Sequence, residues 1–155
     1  MTWIPNKYIL GTGVGFSNHM LGAFDRALQN AGIDGYNLIQ VSSILPPNCQ
    51  IMDEITAEKG AVIPSAYATV FSNNSGDVIS AAVAVGIPAD STQNGVIMHY
   101  AQKGSKSSTE KAVIDYVKTA MNDRNIVIQK IISVSVETKV KSNDIYCAFA
   151  TLSMW

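Results

Sequence analysis

The sequence predicts an α+β domain with more strand than helix, and three observations point there. Apolar runs of strand length recur at 8–15, 37–43, 61–72, 78–87, 95–100 and 145–154. Helical periodicity is confined to two segments. No linker, repeat or low-complexity stretch interrupts the chain, so its 155 residues, 47% hydrophobic, form one domain long enough to bury a core.

The first run, 8–15, enters a series of alternating glycines that is not a phosphate-binding GxGxxG; it predicts a strand passing close to a neighbouring backbone. Ser17 is positioned to cap a helix whose apolar face is Met20 or Leu21, Phe24, Leu28 and Ala31, with Gly32 as its stop. A strand from Asn37 to Ser43 follows and is halted by Pro46 and Pro47, and 48–59 is polar and irregular, a surface loop. Asn73-Asn74-Ser75-Gly76 between two apolar runs predicts a hairpin. Ser107-Ser108-Thr109-Glu110 offers a capping box for a second helix with Val113, Tyr116, Val117, Ala120 and Met121 inward. Beyond Asn125, residues 132–140 alternate apolar and polar, a strand with one wet face. Lys141 to Asp144 turn the chain into the last strand.

Net charge is −1 with no basic stripe, which excludes nucleic acid as the expected partner. Only 15% of residues are charged, a low share that suggests surface buried in an oligomer. No run reaches a membrane span, and the start Met1-Thr2-Trp3-Ile4-Pro5 lacks a signal-peptide pattern, so no membrane partner and a cytoplasmic location are expected. Cys49 and Cys147 do not have metal-ligand spacing and are expected to be free thiols in a reducing compartment.

The segment Asn37-Leu38-Ile39-Gln40-Val41-Ser42-Ser43-Ile44-Leu45-Pro46-Pro47 carries the chemistry. If the Ser43 hydroxyl attacks the Ser42 carbonyl, the peptide becomes an ester. Elimination then cuts the chain and leaves dehydroalanine at 43, which loses ammonia to become a pyruvoyl group. That ketone binds an amine and accepts electrons, the work of a carbonyl cofactor. Alone, a Ser-Ser pair before prolines most often simply ends a strand. Asn37 lies an even number of residues before Ser43, which on a continuous strand puts both side chains on one face. Its amide suits a polarised carbonyl or a simple strand-end hydrogen bond. Asp25 reads as a cation partner or as an ordinary surface carboxylate beside Arg26, and a lone His99 at the end of an apolar strand as structural or functional.

Matches extend along nearly the whole chain. Leu21 to Leu28, Ala31-Gly32-Ile33, Asn37 to Ser43, Gly60 to Tyr67, Ile79 to Ala82, Gly95 to Met98 and Cys147 to Ala150 together resemble the pyruvoyl-dependent arginine decarboxylase family over roughly Leu10 to Trp155. The resemblance implies a four-layer αββα sandwich that assembles as a homotrimer with sites between subunits. It implies a covalent pyruvoyl group derived from Ser43, and self-cleavage of the single domain 1–155 into a light chain, 1–42, and a heavy chain, 43–155. Asn37 would assist processing, Asp25 would hold the guanidinium of arginine, and Leu28 and Tyr36 would line its aliphatic part. One departure stands out: His99 occupies the place of the family's acidic residue, the proton donor after carbon dioxide leaves. Three readings follow. The chain decarboxylates arginine to agmatine with His99 as acid; it acts on another amino acid; or it is a non-catalytic relative. Retention of Asn37, Ser42, Ser43 and Asp25 together favours the first two.

Overall fold

The strands sort into two sheets that face each other. The computed structural model describes residues 2–155. In chain order the elements are β1 (Lys7–Ser17), α1 (Met20–Ala31), β2 (Asn37–Gln40), β3 (Ile44–Leu45), β4 (Gln50–Ile51), β5 (Val62–Ser72), β6 (Val78–Pro88), β7 (Gly95–Lys103), α2 (Lys106–Asp123), β8 (Ile128–Lys139) and β9 (Ile145–Met154). One sheet has the order β2-β5-β9-β1-β4 and the other β3-β7-β6-β8.

Alternation along the central strands divides the apolar residues among three clusters. Ile79, Ala81, Val83 and Val85 of β6 meet Ala148, Ala150 and Leu152 of β9 between the sheets. The opposite face of β6, Ala82 and Ala84, packs on Val113, Val117 and Met121 of α2. The opposite face of β9, Cys147 and Phe149, packs on Ala23 and Ala27 of α1. Strands covered on both faces need apolar residues at every position, which is why β6 and β9 read as unbroken apolar runs. Gly13 and Gly15 of β1 lie under α1, where an added Cβ would overlap the carbonyl oxygens of Ala27 and Ala23. The glycine alternation is thus a seat for the helix, the close backbone approach expected of it.

Several expectations are corrected. The cap of α1 is His19, whose Nδ1 accepts from Gly22 N at 2.9 Å, because β1 continues through Ser17. Met20 and Leu21 are exposed, and the buried positions are Ala23 and Ala27; Gly32 does end the helix in the left-handed conformation. Asn73 to Gly76 do not close a hairpin, since β5 and β6 belong to different sheets; the turn is an arch between them. The helix α2 starts at Lys106 on a Ser105 cap, so Glu110 is free of the capping role. It accepts instead from Ser133 and Ser135 Oγ at 2.8 and 2.9 Å, and the face of β8 expected to be wet lies partly under α2. Tyr116 is exposed rather than inward. Within 48–59 the two residues of β4 pair with β1. The strand expected from Asn37 to Ser43 ends at Gln40.

The glycine seat has a measurable consequence. Gly13→Ala should cost about 3 kcal/mol in urea unfolding, because backbone rather than a movable side chain opposes the methyl. Gly35→Ala, whose Cβ would meet only Lys59 Cδ at 3.9 Å, should change stability little.

Candidate active site

Val41, Ser42 and Ser43 connect the two sheets. Upstream, β2 runs parallel to β5, and Val41 N donates to Ser65 O at 3.2 Å. Downstream, Ile44 and Leu45 pair with Val96 and Gly95 of β7, and Ser43 O accepts from Ile97 N at 2.9 Å. Ser43 therefore sits between two anchored segments, and it holds φ = 76°, a left-handed conformation unusual for a residue with a Cβ. Ser42 is exposed and Ser43 half-buried. Both line a cavity of about 240 Å³ together with Trp3, Pro5, Pro64 and Met154.

His99 is two residues beyond Ile97 on β7, and its register partner is Val83. Two residues of strand cover about 7 Å, so His99 and the residue bonded to Ser43 are neighbours on one strand face. His99 nevertheless lines a separate, open cavity of about 460 Å³ with Gln40, Tyr67 and Thr69. No carboxylate lines it, and burial pushes the His99 imidazole below its ordinary value of 6.5. Gln40 Nε2 donates to Tyr67 O at 3.2 Å across the β2–β5 pair.

The remaining candidates lie apart from Ser43 within one chain. Asn37 is exposed at the start of β2, and its Nδ2 donates to Gly60 O at 2.8 Å, the strand-end bond. With β2 ending at Gln40 and Ser43 left-handed, even spacing no longer puts the two side chains on one face. Asp25 is exposed on α1 and accepts from Gln29 Nε2 at 2.6 Å, while Arg26 bonds the Phe16 carbonyl. Leu28 and Tyr36 pack on the α1-side cluster, and Tyr36 Oη donates to Ala57 O at 3.3 Å. None of these four lines either cavity. Trp3, Pro5 and Gln40 do, and sequence reasoning missed them. Their nearness depends on parallel pairing of β2 with β5 and on where the N-terminal arm lies, and neither leaves a local periodic signal. Cys49 and Cys147 are free thiols, with burial pushing Cys49 to about 11 and Cys147 to about 12.

The family model described as pyruvoyl-dependent arginine decarboxylase matches residues 7–154. A protein of that name from Methanococcus aeolicus is 41% identical over 151 residues, 97% of this chain and 90% of the relative. Its namesake from Methanocaldococcus jannaschii is 40% identical over 152 residues, 98% of this chain and 91% of the relative. One from Pyrococcus horikoshii is 33% identical over 144 residues, covering 91% and 90%. The chain belongs to the pyruvoyl-dependent arginine decarboxylase family. That family implies a covalent pyruvoyl group. No helix among the described residues is long and apolar enough to cross a membrane.

Two outcomes are expected from the geometry. Both Ser43→Gly and Ser43→Ala remove the hydroxyl, but only glycine takes φ = 76° without strain, so Ser43→Gly should be the more stable by about 1 kcal/mol in thermal unfolding. For His99 the folded value lies below the unfolded one, so the unfolded chain binds the proton first. Stability should therefore be unaffected by this group above about pH 6.5 and fall as pH drops below it, a loss that His99→Gln should remove from melts run between about pH 7.5 and 5.5.

Proposed function

We propose that this chain cuts itself between Ser42 and Ser43 and then decarboxylates arginine to agmatine and carbon dioxide. The observation that carries this is the strained, doubly anchored link: Ser43 at φ = 76° between Val41, held by Ser65, and Ile44, held by β7. The Ser43 hydroxyl adds to the Ser42 carbonyl, and the peptide C–N bond breaks to give an ester on Ser43 Oγ. Loss of the Ser43 Cα proton expels Ser42 as a carboxylate and leaves dehydroalanine. Its tautomer takes up one water and releases one ammonia, giving the ketone at the head of 43–155. A half-buried residue whose carbonyl is fixed by Ile97 N and which opens on a cavity of about 240 Å³ fits such a group. The ketone supplies covalent capture of the substrate amine and an electron sink.

The chain's own residues supply the rest. Asp25, exposed on α1, takes a guanidinium in a bidentate pair once the Gln29 amide turns aside, and Leu28 and Tyr36 line the aliphatic stem. Because Asp25 lies outside the Ser43 cavity of its own chain, the reading requires a second protomer whose Asp25 faces this one's residue 43, and we take the assembly to be the homotrimer that the family resemblance implies. Asn37, too far along β2 to reach the Ser42 carbonyl of its own chain, assists processing across the same subunit contact, once its amide leaves Gly60 O. His99 delivers a proton to the Cα that has lost carbon dioxide. The free thiols Cys49 and Cys147 support a reducing cytoplasmic location. A second reading, an enzyme of the same fold for another amino acid, is favoured by His99 and by the lack of a carboxylate in its cavity.

Intact-mass measurement should find 1–42 and 43–155, and Ser43→Ala should remain a single chain. Arginine should release carbon dioxide faster than lysine, ornithine or aspartate. Asp25→Ala should chiefly raise KM, and His99→Ala should lower kcat. An uncut chain after long incubation sinks the proposal. Activity that appears only in His99→Glu would mark a relative that has lost its acid.

A further inference from the structure

We infer that the N-terminal arm is a wall of the site, with Trp3 shielding residue 43 and forming a contact surface for what binds there. Trp3 and Pro5 line the cavity that Ser42 and Ser43 open into, whereas Ile4 between them does not and is 65% exposed, the alternation of an extended arm. The arm is tied where β1 begins: Asn6 N and Lys7 N both donate to Trp155 O at 3.1 Å, and Trp155 N returns a bond to Lys7 O at 3.0 Å. Pro5, with its fixed φ, stiffens the step from that anchor to Trp3.

An indole that is 62% exposed at the mouth of a cavity presents an apolar, electron-rich face. Such a face suits both the aliphatic stem and the cationic head of a basic amino acid, and it keeps bulk water from residue 43. Met154 and Pro64 supply the apolar floor opposite. Trp3 is thereby a specificity-determining residue for the reaction proposed above, on which this inference rests for its substrate, though not for its geometry.

Reactivity at residue 43 tests the wall whether or not the chain processes itself. In Ser43→Cys, alkylation of the introduced thiol by iodoacetamide is followed by peptide mass mapping, which separates it from Cys49 and Cys147. Adding Trp3→Ala should speed that alkylation roughly threefold or more, since thiol reactivity tracks exposure, while Trp3→Phe should leave it near the rate seen with Trp3. On protein shown by mass to be cut, phenylhydrazine should likewise label 43–155 faster in Trp3→Ala. Equal alkylation rates with and without Trp3 overturn the wall. So does a Trp3→Ala protein that keeps its rates but falls apart on native mass spectrometry, which would make the arm an assembly contact. If the protein with Ser43 stays uncut while alkylation of Ser43→Cys still speeds up in Trp3→Ala, the wall stands and only the function proposed above is removed.

Discussion

A short link between two sheets governs this molecule. β2 ends at Gln40 in one sheet and β3 begins at Ile44 in the other, leaving Val41, Ser42 and Ser43 to make the crossing. Four Cα–Cα steps reach at most about 14 Å, and packed sheets stand about 10 Å apart, so the link has little slack. Val41 is held by Ser65 and Ser43 by Ile97, so neither end can drift to relieve it. The left-handed Ser43 is where the chain turns from one sheet into the other. A strained peptide flanked by fixed ends is closer in geometry to its own cleavage than a relaxed one, and the strain costs the fold about 1–3 kcal/mol that the cores on either side must offset.

With the same arrangement, a cut at this link would leave the domain whole. β1 pairs with β9 over ten residues, from Tyr8 with Met154 to Ser17 with Ile145, and these strands lie on opposite sides of the link in sequence. β2 pairs with β5 across it as well. Gly13 and Gly15 let α1 sit directly on β1, and Ala23 and Ala27 carry that packing on to Cys147 and Phe149. The piece before the link therefore contributes two strands and a helix to a shared core, held by hydrogen-bond ladders that do not use the Ser42–Ser43 peptide.

What is legible in the sequence follows from which signals are local. The long strands and both helices announce themselves by period, and Gly32 by the left-handed turn it makes. The partner of each strand does not. Asn73 to Gly76 carry hairpin residues, yet the flanking strands part into different sheets, because β5 pairs with β9, far along the chain, and β6 with the β7 that follows it. The Ser105 cap is hidden because Ser107 and Ser108 satisfy the same rule two residues on; in the fold Ser105 Oγ accepts from Ser108 N at 3.2 Å and Glu137 Oε2 from Lys106 N at 2.6 Å. For the site, the Ser-Ser pair is visible as a motif, but its meaning as an inter-sheet crossing is not. The even spacing of Asn37 and Ser43 fails for the same reason: the strand rule does not extend past the point where the strand stops.

His99 shows how burial sorts chemically different groups. Removing water disfavours whichever form is charged, so it raises a carboxyl's value and lowers an imidazole's. A glutamate in this cavity would be driven toward its neutral form, which carries the proton an acid must give. Histidine in the same place is driven toward its neutral form, which has already lost that proton. The environment that turns a carboxyl into a proton donor thus works against an imidazolium, while easing the repulsion that a charged imidazole would exert on a cationic substrate. Catalysis through His99 is favoured when the pH lies below its lowered value, or when a bound carboxylate nearby restores the charged form. A substrate carboxylate would do the latter until it departs as carbon dioxide, and its loss would then leave the imidazolium less stabilised at the moment when Cα needs the proton.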